Sequence, residues 1–404
     1  MIDNFDLGQL VGPLQSWFKG NARVLPWREN PLGYYVWISE IMLQQTRVEA
    51  VKPYFDRFIK ELPDVKALAE CPEDKLLKLW EGLGYYNRVR NLKIAANQIM
   101  EEYGGAIPSE YEELLKLKGI GHYTAGAIAS IAYGKAVPAV DGNVLRVISR
   151  VTADDSDIMK QSVRNHMEKC LYNIMNDVQE TKTQVFFEKC ELVEPSVFNQ
   201  ALMELGATVC VPNGAPHCEV CPWSEMCEAR KQNRIAELPV KKKAKERRIE
   251  EKTVLIIKDG ERLALHKRPA KGLLAGLYEL PNVSGYKTEA EIIEYIKDRG
   301  YTPIRIQSAC EAKHVFSHVE WHMKGYVVFI QPIEFGEEGV MQYNEKQEVV
   351  LEDEKKAKTA DFWLFVDIEE TKEKYAIPSA FAKYTEYLNL VIGKDAIASK
   401  RLDN

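Results

Sequence analysis

Four cysteines fall within 18 residues, Cys210, Cys218, Cys221 and Cys227, spaced C-x7-C-x2-C-x5-C. The other four of the eight, Cys71, Cys170, Cys190 and Cys310, are scattered through a chain of 404 residues. A secreted disulfide scaffold is shorter and denser in cysteine, so the cluster reads as a metal or iron–sulfur site in a reducing compartment. Deprotonated sulfur is a soft, strong ligand for zinc and iron. A zinc ribbon usually presents two separated CxxC knuckles. Here one compact loop following a helix supplies all four thiols, which suits a four-iron cubane better than zinc. The spacing therefore predicts one 4Fe-4S cluster.

The length predicts two or three domains. The formal net charge of −6 weakens a nucleic-acid reading without closing it, because a near-neutral domain can still carry a basic face. The chain contains no run of about 18 apolar residues, and its start, MIDNFDLGQL, lacks the basic and apolar regions of a secretory signal. Membrane-spanning and secreted classes drop out, and a cytoplasmic protein is expected.

Residues 1–228 read as mostly helical, with amphipathic segments at 65–81, 88–103 and 109–117. Helix punctuation is expected at Tyr103-Gly104-Gly105, as a stop, and at Ser109 before Glu112, as a cap. Residues 229–250 are rich in lysine and arginine and read as a linker. Beyond it the pattern changes to strands at Thr253–Ile257, Arg262–Lys267, Lys313–Glu320 and Tyr326–Gln331. Turns are expected at Asp259-Gly260 and Lys324-Gly325, and a helix at Glu289–Lys297. The fold class is multidomain: a mostly α domain with the cysteine loop, then an α+β domain over 251–392 and a tail over 393–404.

Three further segments carry chemistry. Leu117-Lys118-Gly119-Ile120-Gly121-His122 joins two helices. Two glycines around one apolar residue make a tight hairpin, whose free N–H groups at the next helix start suit a DNA phosphate. An ordinary packing corner is the alternative. In Val140-Asp141-Gly142-Asn143, Asp141 stands where a helix begins. It is an N-cap, or a carboxylate that stabilises positive charge on a nearby sugar. Glu40, in Tyr35–Thr46, shares a helical face with Val36, Trp37 and Leu43. Such a carboxyl is desolvated, so it can keep its proton and act as a general acid. Alternatively it is a buried glutamate paired to Arg28 or Arg47.

Together LPWR, WISEIMLQQTRVEAV, LWEGLGYYNRVRNL, LKGIGHYTAGAIAS, VPAVDGNVLRV and FNQALMELGATVC, followed by the cysteine loop, resemble the MutY-type adenine DNA glycosylase family. That family belongs to the helix-hairpin-helix superfamily with endonuclease III. The resemblance covers nearly all of 1–228. Residues 251–390 are similar, more weakly, to the family's Nudix-like domain, which recognises 8-oxoguanine. The resemblance implies that Glu40 is the acid that protonates the flipped adenine. Asp141 would stabilise the sugar cation. Tyr123 would stand where bifunctional relatives carry a Schiff-base lysine. It also implies pocket roles for Arg28, Asn143 and Gln200, and roles in filling or wedging the base stack for Gln45 and Tyr85. Phe316-Ser317-His318 would read 8-oxoguanine. The hairpin residues Lys118, Gly119 and Gly121 would hold the backbone.

Two departures from the family pattern stand out. The first cysteine gap, seven residues, is one longer than usual. Extra length also falls around Asp157–Glu194. KRPAKGLLAGLYELPN resembles the opening of a Nudix box, but the helix after it has no adjacent glutamate pair to hold magnesium. That predicts binding rather than pyrophosphate hydrolysis. The expected function is monofunctional removal of adenine opposite 8-oxoguanine or guanine. The expected substrate is double-stranded DNA bearing A:8-oxoguanine or A:G mispairs, met by a monomer at the bacterial nucleoid. A bifunctional endonuclease III-like glycosylase/lyase and a non-catalytic lesion-binding protein are the alternatives.

Overall fold

The structure is a computed structural model, and it describes residues 2, 5–180, 193–241, 246–333 and 363–388. The chain divides into two compact units. One comprises Met1–Cys71 with Arg90–Ala244, the other Pro72–Val89 with Lys245–Asn404. No described helix is long and apolar enough to cross a membrane.

The first unit is helical. It contains α1 (Val11–Asn21), α2 (Pro26–Glu29), α3 (Gly33–Leu43), α4 (Val48–Glu61) and α5 (Val65–Glu70). After α6 (Glu73–Leu79), which belongs to the second unit, α7 (Asn87–Tyr103) brings the chain back. Then follow α8 (Tyr111–Leu114), α9 (His122–Ala127), α10 (Gly142–Val151), α11 (Gln161–Glu180), α12 (Pro195–Thr208) and α13 (Glu228–Lys231). Helix α4 is amphipathic, burying Val51, Tyr54, Phe55 and Phe58 at helical spacing. Helix α3 is buried almost all round from Val36 to Met42, as a central helix must be. Leu14 and Phe18 of α1, Val144, Leu145 and Ile148 of α10, and Phe198, Leu202 and Leu205 of α12 share one core. Each such buried side chain contributes roughly 1.5–3 kcal/mol relative to exposure.

Several local expectations are corrected. The segment 65–81 is two helices, because Cys71 takes the extended conformation that a following proline favours. The expected cap at Ser109 does not form. Helix α8 starts one residue later behind Glu110, with no side-chain cap. The stop at Gly104 and Gly105 is present, both at positive φ. The expected linker, 229–250, is not uniform. Ala229 and Leu238 are buried, and Arg150 donates to the Leu238 carbonyl at 2.9 Å, so its first half is part of the helical unit. Its last residues open a strand. Of the extra length around Asp157–Glu194, residues 181–192 lie outside the described residues, and what precedes them is mainly α11.

The second unit holds β1 (Arg248–Asp259), β2 (Arg262–Lys267), β3 (Tyr278–Glu279), β4 (Asn282–Ser284), β5 (Pro303–Val315), β6 (Val319–Ile330) and β7 (Trp363–Asp367). They form one mixed sheet in the order β3-β2-β1-β6-β5, with β4 pairing β1 and β7 pairing β2. Strand β1 runs parallel to β6, and the other pairs are antiparallel. Val254 and Ile256 of β1 face one core, and Leu255 and Ile257 the other, so this central strand is apolar on both faces. The expected helix Glu289–Lys297 forms as α14, started by a capping box between Thr288 and Glu291. Helices α15 (Ile368–Thr371) and α16 (Ala382–Thr385) follow β7.

Two strand expectations are also corrected. Lys313–Glu320 is not one strand. Val315 pairs with Glu320, and the Phe316 N–H donates to the Val319 carbonyl at 2.8 Å, so Phe316–His318 is the turn of the β5–β6 hairpin. Lys324-Gly325, expected as a turn, lies inside β6. A Cβ at Gly325 would run into the Tyr384 ring, so that glycine serves close packing.

Candidate active site

A cavity of about 620 Å³ opens in the helical unit. Seven of the residues singled out in the sequence line it: Arg28, Glu40, Gln45, Tyr123, Asp141, Asn143 and Gln200. They come from α2, α3 and the residues just after it, α9, the start of α10, and α12.

Glu40 is 5% exposed. Its Oε2 accepts a hydrogen bond from the Tyr123 hydroxyl, which also lies 3.3 Å from the Met203 sulfur. Burial pushes the Glu40 carboxyl up to about 7, and the nearby Asp141 charge adds to this, while the Tyr123 bond and the Arg28 charge oppose it. The sequence offered Arg28 or Arg47 as an ion-pair partner. Instead Arg28 Nη2 donates to Glu204 Oε2 at 2.8 Å, and Glu40's side-chain partner is Tyr123. Burial, with the Glu40 and Asp141 charges, holds the Tyr123 phenol well above its ordinary range.

Asp141 is the N-cap of α10 and also lines the cavity. Its Oδ1 caps α10, accepting from the Asn143 and Val144 N–H groups, each at 2.8 Å. Its Oδ2 accepts from Asn143 Nδ2 at 2.7 Å, and Asn143 Oδ1 in turn accepts from Arg146 Nη2 at 2.9 Å. Burial raises this carboxyl, and the capping bonds and Arg146 hold it down. Helix α12 approaches closely because of Gly206, where a Cβ would stand 2.5 Å from the Asn143 Cβ.

Sequence reasoning missed the frame of this site. Asn199, fully buried, donates to Ser130 Oγ and to the Val137 carbonyl, both at 2.8 Å, and accepts from the Ala139 N–H at 3.0 Å. It fixes the segment, without regular secondary structure, that delivers Asp141. Glu204 and Arg23 were missed as well. The signal existed: Gln200, Met203, Glu204 and Ala207 line the cavity at helical spacing on α12.

The hairpin forms as expected between α8 and α9. Gly119 has φ +80°, and a Cβ there would stand 2.6 Å from the Asn91 Cβ. Its N–H groups are not all free. The Lys118 N–H donates to Gln98 Oε1 at 2.8 Å and the Ile120 N–H to the Leu117 carbonyl at 3.2 Å. Those of Gly119 and Gly121 meet no acceptor among the described residues.

Two family models match the chain. One, described as HhH-GPD superfamily base excision DNA repair protein, matches residues 38–172, and the other, NUDIX domain, matches residues 253–387. The chain is similar to the adenine DNA glycosylase of Mus musculus, 33% identical over 79% of this chain and 70% of that protein. It is 32% identical to the adenine DNA glycosylase of Buchnera aphidicola subsp. Acyrthosiphon pisum, over 78% and 84%. The chain belongs to the adenine DNA glycosylase family.

The remaining expected sites of this glycosylase lie away from the cavity lining. Cys210, Cys218, Cys221 and Cys227 line one small pocket with Arg150 and Arg230, and none is in a disulfide. Arg150 Nη1 lies 3.3 Å from the Cys210 sulfur. Among the described residues no three such side chains converge tightly enough to hold a single metal ion. Four thiols around one pocket are the donor set that zinc and iron–sulfur groups take.

In the second unit, Tyr85 is 46% exposed with φ +50°, and its hydroxyl lies 3.3 Å from Ser317 Oγ. Phe316 is anchored, its ring 4.6 Å from His314 and 4.9 Å from Trp321, while Ser317 and His318 are exposed. The turn is tied to β1, where the Arg248 N–H donates to the His318 carbonyl at 3.2 Å. In the Nudix-like helix, Glu291 is committed to its cap, accepting from the Thr288 N–H at 2.8 Å. Those cap bonds hold it down to about 2.

Proposed function

We propose that this glycosylase removes adenine mispaired with 8-oxoguanine, or with guanine, from double-stranded DNA, as a monofunctional enzyme. The observation that carries the reading is the juxtaposition in one cavity of a buried, proton-holding Glu40 with the capped carboxylate of Asp141. The duplex is held at the Lys118–Gly121 hairpin, adenine swings into the cavity, and Gln45 and Tyr85 take up the space left in the stack. Glu40 donates its proton to the base. The C1′–N9 bond breaks, its electron pair leaving with adenine, and Asp141 offsets the positive charge on the sugar. Water adds at C1′, gives up a proton and leaves an abasic site. Arg28, Asn143 and Gln200 line the cavity around adenine or its sugar.

A lyase step needs an amine nucleophile. Position 123 is tyrosine, and no lysine is among the described residues lining the cavity. Recognition of the partner base is assigned to the exposed Ser317 and His318, whose side chains can donate to or accept from a purine edge. Cys210, Cys218, Cys221 and Cys227 would hold one 4Fe-4S cluster, which would tie the loop together and supply redox-active iron.

The test is single-turnover excision on A:8-oxoguanine and A:G duplexes, read with and without alkali. Strand breaks that appear only after alkali are expected. Efficient nicking without alkali, with borohydride trapping of a covalent adduct, would overturn the monofunctional assignment. Purified protein should be brown, with about four irons per chain. A colourless, active, zinc-loaded protein would overturn the cluster.

A further inference from the structure

Three carboxylates line the cavity, Glu40, Asp141 and Glu204, together with three arginines, Arg23, Arg28 and Arg164. The proposed chemistry uses the first two carboxylates and leaves Glu204 without a task. Yet Glu204 is the most deeply built of them, at 1% exposure. Its Oε1 accepts from Arg23 Nε at 2.5 Å and from the Arg23 backbone N–H at 3.2 Å. Its Oε2 accepts from Arg23 Nη2 at 3.0 Å and from Arg28 Nη2 at 2.8 Å. Arg28 Nη1 then donates to the Arg23 carbonyl at 3.2 Å, and its guanidinium lies 5.4 Å from the centre of the Phe18 ring. One carboxylate thus fixes two arginines.

We propose that Glu204 is a positioning residue. By gripping Arg23 and Arg28 together, it keeps Arg28 out of a direct ion pair with Glu40 and leaves Tyr123 as the hydrogen-bonding partner of the acid. The inference rests on reading Glu40 as the proton donor. A half-buried guanidinium without its counter-charge turns to the nearest carboxylate. Here those are Glu40 and Asp141, which share its cavity. An Arg28–Glu40 pair would favour the ionised acid and withdraw the proton the base needs. The groups facing Glu40 are Tyr123 from α9, Asp141 at the start of α10 and Arg28 from α2. Arg28 already pulls the Glu40 carboxyl down against burial, from where Glu204 holds it.

The test is the pH dependence of single-turnover excision by the full-length, cluster-loaded protein on an A:8-oxoguanine duplex, from pH 5 to 9. Activity of the wild type falls as pH rises through the Glu40 titration. In Glu204→Gln that limb moves to lower pH. The loss is then about 10-fold at pH 8, for an added charge a few ångströms away, and shrinks toward pH 5. Adding Arg28→Gln to Glu204→Gln returns the limb toward its wild-type position. Arg23→Gln, which leaves Glu204 to Arg28, keeps the limb in place and serves if Glu204→Gln does not fold. A Glu204→Gln loss of equal size at every pH, an unmoved limb, or a limb shifted by Arg23→Gln overturns the proposal. Glu40→Gln is run alongside. Retained activity there overturns the reading of Glu40 itself. An inactive Glu40→Gln with an unmoved Glu204→Gln limb overturns only the role of Glu204.

Discussion

Glu40 is held where the folded chain resists its ionisation, and that resistance has a measurable sign. Its carboxyl titrates near 7 when folded, above its ordinary range. At low pH it is protonated in both the folded and unfolded states and carries no penalty. As pH rises through the ordinary carboxylate range the unfolded chain releases the proton while the fold retains it, so stability is lost until about pH 7 and is constant above. The shift corresponds to about 3 kcal/mol. Glu40→Gln should therefore melt higher than wild type at pH 8 and indistinguishably at pH 4, by calorimetry, while excision falls by roughly 10²–10⁴-fold. A variant that loses activity without this pH-dependent gain would mean that the carboxyl is not desolvated. Tyr123→Phe acts in the opposite direction from an added cation. It removes a donor that favours ionised Glu40, so the alkaline limb of the rate profile should move to higher pH. A limb displaced to lower pH would contradict the bonding described. Glu40 and Asp141 stood out in the sequence because each is at a position that local periodicity or helix capping marks, whereas Tyr123 was singled out only by the family resemblance. The Arg28–Glu204 contact was not, because its partners are 176 residues apart and nothing local in either segment names the other.

At the scale of elements, the site depends on how closely α12 lies against α10. Gly206→Ala places a methyl against Asn143, and neither backbone can yield without moving the Asp141 cap. We expect destabilisation of about 1–3 kcal/mol, as for overpacked cores, together with a fall in kcat at unchanged duplex affinity. Loss of affinity with kcat intact, in parallel binding and single-turnover assays, would contradict this. The same logic explains which elements the sequence misled. Phe316-Ser317-His318 contains neither glycine nor proline, so a reading by β-branched and aromatic content ran a strand through it, whereas the register of β5 against β6 makes it the turn. Gly325 looked like a turn for the opposite reason: a glycine that a neighbouring ring requires is indistinguishable, in one sequence, from a glycine that the backbone requires. Helix α14 was legible to the residue because Thr288 and Glu291 form a reciprocal cap, which is a local signal.

For the whole molecule, the two compact units do not follow chain order. Residues 72–89, which carry α6 and Tyr85, belong with the C-terminal sheet. Lys78 Nζ donates to the carbonyls of Thr371 and Tyr375, each at 3.0 Å, and the buried Glu81 accepts from the Ile377 N–H at 2.8 Å. A chain ended at residue 244 would lose these three bonds to the C-terminal segment and leave Lys78 its ion pair with Glu81 at 2.8 Å. Its peptides across 72–89 should exchange amide hydrogen far faster than in the full-length protein, while α10 and α12 stay protected. Equal protection of 72–89 in both would show that the segment stands without the sheet. The same arrangement sets a timetable for biosynthesis. Glu81 and Ile377 are 296 positions apart, so at roughly 5–20 residues per second the segment waits roughly 15–60 s on the ribosome before its partners emerge. During that interval α6 belongs to an unfinished surface, and a nascent chain stalled before residue 377 would leave that surface open to chaperones and proteases.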